Sequence, residues 1–77
     1  MRSYSYCRMV VDGRVTAELE IISEHNTFNI FEHDANVFSG GYTGALKYVN
    51  EWKSKWEEMK ELLKASGHFA TWEQTIR

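Results

Sequence analysis

A chain of 77 residues with one cysteine, no proline and a formal net charge of −2 is long enough for one small domain and too short for two. The lone Cys7 excludes an internal disulfide, and the acidic balance argues against a dedicated phosphate-backbone binder. No run approaches the ~20 apolar residues of a membrane span, and MRSYSYCRMVV lacks the continuous apolar stretch of a secretory leader, so a cytoplasmic protein without membrane attachment is expected.

Residues 3–11 and 14–22 alternate apolar and polar and are joined by Asp12-Gly13, a strong short hairpin signal. A two-residue turn with regular pairing sets Val10 against Val15, Tyr6 against Leu19 and Tyr4 against Ile21. One face then carries Tyr4, Tyr6, Val10, Val15, Ala17, Leu19 and Ile21 and reads as core. The other carries Cys7, Met9, Val11, Thr16, Glu18 and Glu20. Arg8 falls on the core side in this register and must snorkel out or meet a carboxylate. Ser23-Glu24-His25-Asn26 reads as a second turn, after which Phe28 and Ile30 join the core face and Phe31 the opposite one. His33-Asp34-Ala35-Asn36 is a third polar break. Val37-Phe38-Ser39 is a short fourth edge strand or a loop.

From Thr43 to Gly67 the pattern changes. Ala45, Val49, Trp52, Trp56, Met59 and Leu63 recur at helical spacing, bordered by Leu46, Tyr48 and Leu62. Thr43 is a candidate N-cap, and Gly67 suits the left-handed position that stops a helix. The expected architecture is α+β in one domain: an antiparallel meander over 1–42, one long helix over 43–66 on one sheet face, and an apolar tail over 67–77. The helix would be roughly 33 Å long, against ~26 Å for a strand of about eight residues. Met59, Leu62 and Leu63 would then overhang the sheet. Phe69, Trp72 and Ile76 in the tail cover that overhang, within the chain or across a dimer, with Thr71 and Gln74 capping a short turn.

No histidine stands at zinc-ligand spacing, and Cys7 has no cysteine partner, so neither metal nor cofactor is expected. Glu32-His33-Asp34 reads as a polar turn. Gly40 to Gly44 precedes a helix and could hold an anion, but it lacks a following Lys-Ser/Thr, and a tight strand-to-helix connection explains its glycines equally. These absences point away from an enzyme and towards a protein-interaction module, expected to be a homo-oligomer. Compact chains of this kind resemble phage or mobile-element accessory proteins, which implies binding and modulation of a host protein. The candidate partner-binding residues are Met59, Leu62, Leu63, Phe69, Trp72 and Ile76 at the overhang, with Met9, Val11 and Phe31 on the back of the sheet.

A second reading is nucleic-acid binding. Three antiparallel strands followed by a helix, with GRVTAELEI in the second strand and YTGALKYVNEW opening the helix, resembles in topology the plant-type AP2 DNA-binding domain over about residues 4–52. That family reads the major groove with the outer face of its sheet through Arg and Trp side chains. The resemblance implies a DNA-facing outer surface with Arg14 as its base reader. Glu18 and Glu20 on that face depart from the family pattern.

Overall fold

Three hairpins in succession are each closed by two residues at positive φ. The pairs are Asp12-Gly13, His25-Asn26 and His33-Asp34. Asp, Asn, His and Gly tolerate this left-handed region best, and two such residues match the right-handed twist of the flanking strands. The turns therefore join β1 (Arg2–Val11), β2 (Arg14–Glu24), β3 (Thr27–Glu32) and β4 (Ala35–Gly40). The computed structural model describes residues 2–76. A helix, α1 (Tyr42–Ala65), follows, and the chain returns as β5 (Ala70–Ile76). The sheet is antiparallel throughout, in the order β4-β3-β2-β1-β5. This is an α+β fold with one helix packed on one face.

The β1–β2 register departs from regular pairing. Val10 sits opposite Val15, but Met9 sits opposite Ala17, so Thr16 has no Cα partner. This bulge shifts every later pair by one residue and turns β1 over relative to the expected arrangement. Cys7 and Met9 therefore enter the core, and Val11 packs against it. Tyr4, Tyr6 and Val10 go to the other face. Arg8 also turns outward, where its guanidinium meets Glu73 of β5 at 2.6 Å. The residue that sat awkwardly in the regular register thus finds its carboxylate on the neighbouring strand. On β2 beyond the bulge and on β3 the faces fall as expected: Ala17, Leu19, Ile21, Phe28 and Ile30 point to the helix. Val15, expected in the core, lies before the bulge and stays with Val10 on the other face, exposed. The two-residue turn sets Ile21 opposite Ile30.

The core is made by Cys7, Met9, Ala17, Leu19 and Ile30 from the sheet, Ala45 and Trp52 from the helix, and Ala70 from β5. Val49, Trp56 and Leu63 of the helical stripe, with Tyr48 from its border, pack against these residues. Of the residues expected to overhang the sheet, Leu63 packs against the core while Met59 and Leu62 are exposed. β1 and β2 run 10 and 11 residues, about 33–36 Å, which matches a 24-residue helix of about 36 Å.

The helix starts at Tyr42, its N-cap is Gly41 rather than Thr43, and no side chain caps it. Glycines on both sides of this junction serve packing: a Cβ on Gly44 of the helix would lie 2.9 Å from the Phe38 ring, and one on Gly40 at the end of β4 3.0 Å from it. At the other end Ser66 is the C-cap and Gly67 takes φ +88. The Gly67 N–H donates to Lys64 and the His68 N–H to Leu63, closing the last turn as a Schellman motif.

The segment after Gly67 is a strand, not a loose arm. β5 pairs with β1 from Val11–Ala70 to Ser5–Ile76. Its start is clasped to the first turn. The Asp12 N–H donates to the Phe69 carbonyl, Asp12 Oδ1 accepts the Phe69 N–H, and Oδ2 lies 2.7 Å from His68 Nδ1. The Phe69 N–H and the His68 ring hold the Asp12 carboxyl below its ordinary range. A depressed carboxyl stabilises the fold above its unfolded pKa of about 3.9, and that contribution vanishes as pH falls through the folded value. Asp12→Asn keeps the turn but loses the charge. Urea titrations should find it less stable than wild type at pH 7, with the gap narrowing as pH falls below the unfolded carboxyl range. A gap that does not change with pH would deny the clasp its ionic part.

Candidate functional site on the open sheet face

The helix covers one side of the sheet, and among the described residues no element covers the other. The bulge decides what that open face displays. β1 contributes Tyr4, Tyr6, Arg8 and Val10, and β2 contributes Val15, Glu18, Glu20 and Ile22. Phe31 comes from β3 and Glu73 from β5. Tyr4, Tyr6, Val10, Ile22 and Phe31 are each half-buried against their neighbours.

The centre of this face is an ordered set of tyrosine–carboxylate pairs. Tyr6 lies opposite Glu20 and Tyr4 opposite Ile22, so each phenol reaches diagonally along β2. The Tyr4 hydroxyl donates to Glu20 Oε2 at 2.8 Å, and the Tyr6 hydroxyl donates to Glu18 Oε2. The bond to Glu18 pushes the Tyr6 phenol above its ordinary pKa, with desolvation adding to the effect. Glu18 also reaches the third turn, its Oε1 standing 3.5 Å from His33 Nδ1. A carboxylate has about four lone-pair sites, so each glutamate is oriented by its tyrosine and still has acceptor capacity. Between them lies a notch of 100 Å³ lined by Tyr6, Glu18, Glu20, Phe31, His33 and Asp34. Two of its walls are aromatic, and three of its residues are carboxylic acids. This chemistry suits a cation with an apolar stem: carboxylates accept its N–H groups and the rings pack its methylenes.

The residues expected to bind a partner are dispersed. Met9 is fully buried and Val11 packs on the core, so neither belongs to the back of the sheet, because the bulge reverses β1. Cys7, expected beside Glu18 and Glu20, is likewise interior, with Gln74 Nε2 3.8 Å from its sulfur. Leu63 and Trp72 pack against the core, Trp72 at 5.7 Å between ring centroids from Trp52. Met59, Leu62, Phe69 and Ile76 are exposed. Phe69 and Ile76 flank opposite ends of β5, so the tail residues form no single anchor. Phe31 does lie on the open face, beside the notch. Tyr4, Tyr6, Arg8, Val10 and Ile22 join it there, outside the expected site. The signal for them was Arg8, whose charge is incompatible with the core side of β1.

Among the described residues, no group of three or more His, Cys, Asp and Glu is placed to hold a metal ion. His25 and His33 occupy turn positions, and His68 belongs to the β5 clasp. No helix of the described chain is long and apolar enough to cross a membrane. Compared with known proteins, the chain matches no family model, no curated protein and no solved structure.

Proposed function

We propose that this protein is a non-enzymatic interaction module that docks a basic segment of a partner protein on its open sheet face. The observation that carries the reading is the pair of tyrosine-held carboxylates, Glu18 and Glu20, beside the aromatic notch. An arginine or lysine of the partner enters the notch, while its apolar neighbours rest on Val10, Ile22 and Phe31. Tyr and Arg are enriched among residues that dominate binding energy, and this face holds both. Arg8 does not reverse the sign of the surface, because Glu73 already neutralises it.

The AP2-like alternative has less support. Base reading in that mode needs Arg side chains facing phosphates and base edges. Here Glu18 and Glu20 occupy the middle of the face, and Arg14 sits at the hairpin tip beyond them.

A fluorescently labelled arginine-rich peptide distinguishes the two. The expected result is saturable binding that weakens with salt, weakens by at least about tenfold in the Glu18→Gln/Glu20→Gln double variant, and is not matched by a glutamate-rich peptide or a DNA duplex. Equal binding by the double variant, or preferential binding of the duplex, would overturn the reading.

A further inference from the structure

The two edges of the sheet are built differently. β4 is six residues long and carries a bulge: Ile30 pairs with Phe38 and Phe31 with Asn36, leaving Val37 unpaired. The Asn36 side-chain amide also donates to the carbonyls of Ile30 and Phe38. A short, bulged strand with an amide on its own Phe38 carbonyl is blunted against further pairing. β5 has none of these devices. It runs seven residues, ATWEQTI, paired with β1 without a register break, and lacks proline, glycine and lysine. Its one charge, Glu73, is paired with Arg8. Among the described residues, no side chain hydrogen-bonds to its backbone. Such an edge presents a row of unpaired N–H and C=O groups to any strand that fits.

Two further features lie beside this edge on the helix side. Ile76 is 80% exposed, an unusual state for an isoleucine in a strand. A groove of 340 Å³ lined by Lys53, Ser54, Glu57, Trp72 and Gln74 opens between α1 and β5. Trp72 is fixed there by its indole N–H, which donates to Glu57 at 2.7 Å.

The geometry points to a second copy of this chain as the occupant, with β5 pairing antiparallel to β5 of the partner about a two-fold axis at Gln74. Self-pairing that keeps both helices on one side of the sheet sets residues of equal parity opposite each other. Centring on Glu73 would oppose two glutamates. Centring on Trp72 would leave Ile76 beyond the paired strand. Centring on Gln74 sets Trp72 against Ile76 of the partner, an aromatic–β-branched pair, and Glu73 against Thr75 of the partner, with no like charges opposed. The exposed isoleucine of each copy then enters the open side of the groove on the other. The result is one ten-stranded sheet with both open faces on the same side. This dimer does not depend on the proposed partner site, and its failure would leave that site untouched.

The test uses the full chain. Sedimentation equilibrium of the wild type at high micromolar concentration should give twice the monomer mass. Ile76→Lys changes an exposed side chain, so far-UV circular dichroism should stay unchanged while dimerisation weakens by at least about tenfold. In a Cys7→Ala background, Gln74→Cys should oxidise to an intermolecular disulfide, since directly opposed residues in an antiparallel pair lie about 4.5–5.5 Å apart. A wild type that stays monomeric overturns the proposal. So does a dimer that Ile76→Lys leaves intact, or one that Gln74→Cys fails to cross-link.

Discussion

Trp52→Ala should cost about 3–5 kcal/mol, because it empties the largest contribution of the helix to the core. Trp52 is buried and packs against both Trp56 and Trp72. Small domains have a total stability of about 5–15 kcal/mol, so this single change should bring the fold close to its unfolding midpoint. Trp52→Phe should behave differently. The indole N–H of Trp52 is buried without a hydrogen-bond partner. Leaving a donor unpaired costs about 1–3 kcal/mol, so phenylalanine trades some lost packing against removal of that penalty. Its net cost should be about 1 kcal/mol or less. Urea denaturation followed by circular dichroism measures both. If Trp52→Phe proves as damaging as Trp52→Ala, the indole N–H is not the unpaired donor seen in the structure.

The second large effect separates two registers of β1. Met9 is fully buried, opposite Ala17 on one side and Trp72 on the other. Met9→Asp would place an unpaired carboxylate among apolar groups and should cost more than about 4 kcal/mol, enough to abolish cooperative folding. Val10 is its sequence neighbour but lies on the open face. Val10→Asp should cost only about 1 kcal/mol, mainly in strand preference. Without the bulge at Thr16 the two outcomes would exchange. A thermal melt of each variant therefore reads the register directly.

That bulge marks where the sequence stops being transparent. The hairpin at Asp12-Gly13, the core faces of β3 and of β2 from Ala17 onward, the helical stripe and the stop at Gly67 are all legible, because each rests on a local pattern. An extra residue in β2 leaves no such trace: Val15-Thr16-Ala17 continues the alternation of a regular strand. Its consequence was visible only as a contradiction, a charged Arg8 on the core side. The strain of that position was the clue to Tyr4 and Tyr6, and with them to most of the candidate site. β5 was missed for another reason. Thr71, Trp72, Thr75 and Ile76 are good strand formers, but the same residues fit a tail that caps a short turn. Pairing with β1 decided the matter, through contacts between the two ends of the chain, from Val11–Ala70 to Ser5–Ile76. His25-Asn26 and His33-Asp34 were readable as turns. Their two-residue length, which sets the register of β3 and β4, was not, because neither contains glycine.

In the proposed function, the tyrosine-held carboxylates of the open face recognise a basic protein segment. A two-dimensional ¹H–¹⁵N NMR titration of the full chain with an arginine-rich peptide reads the contact residue by residue. Shift changes should concentrate on Tyr6, Glu18, Glu20, Phe31 and His33, with the helix unaffected, and should vanish in the Glu18→Gln/Glu20→Gln variant. Shifts confined to the helix or to β5, or none at saturating peptide, would contradict it.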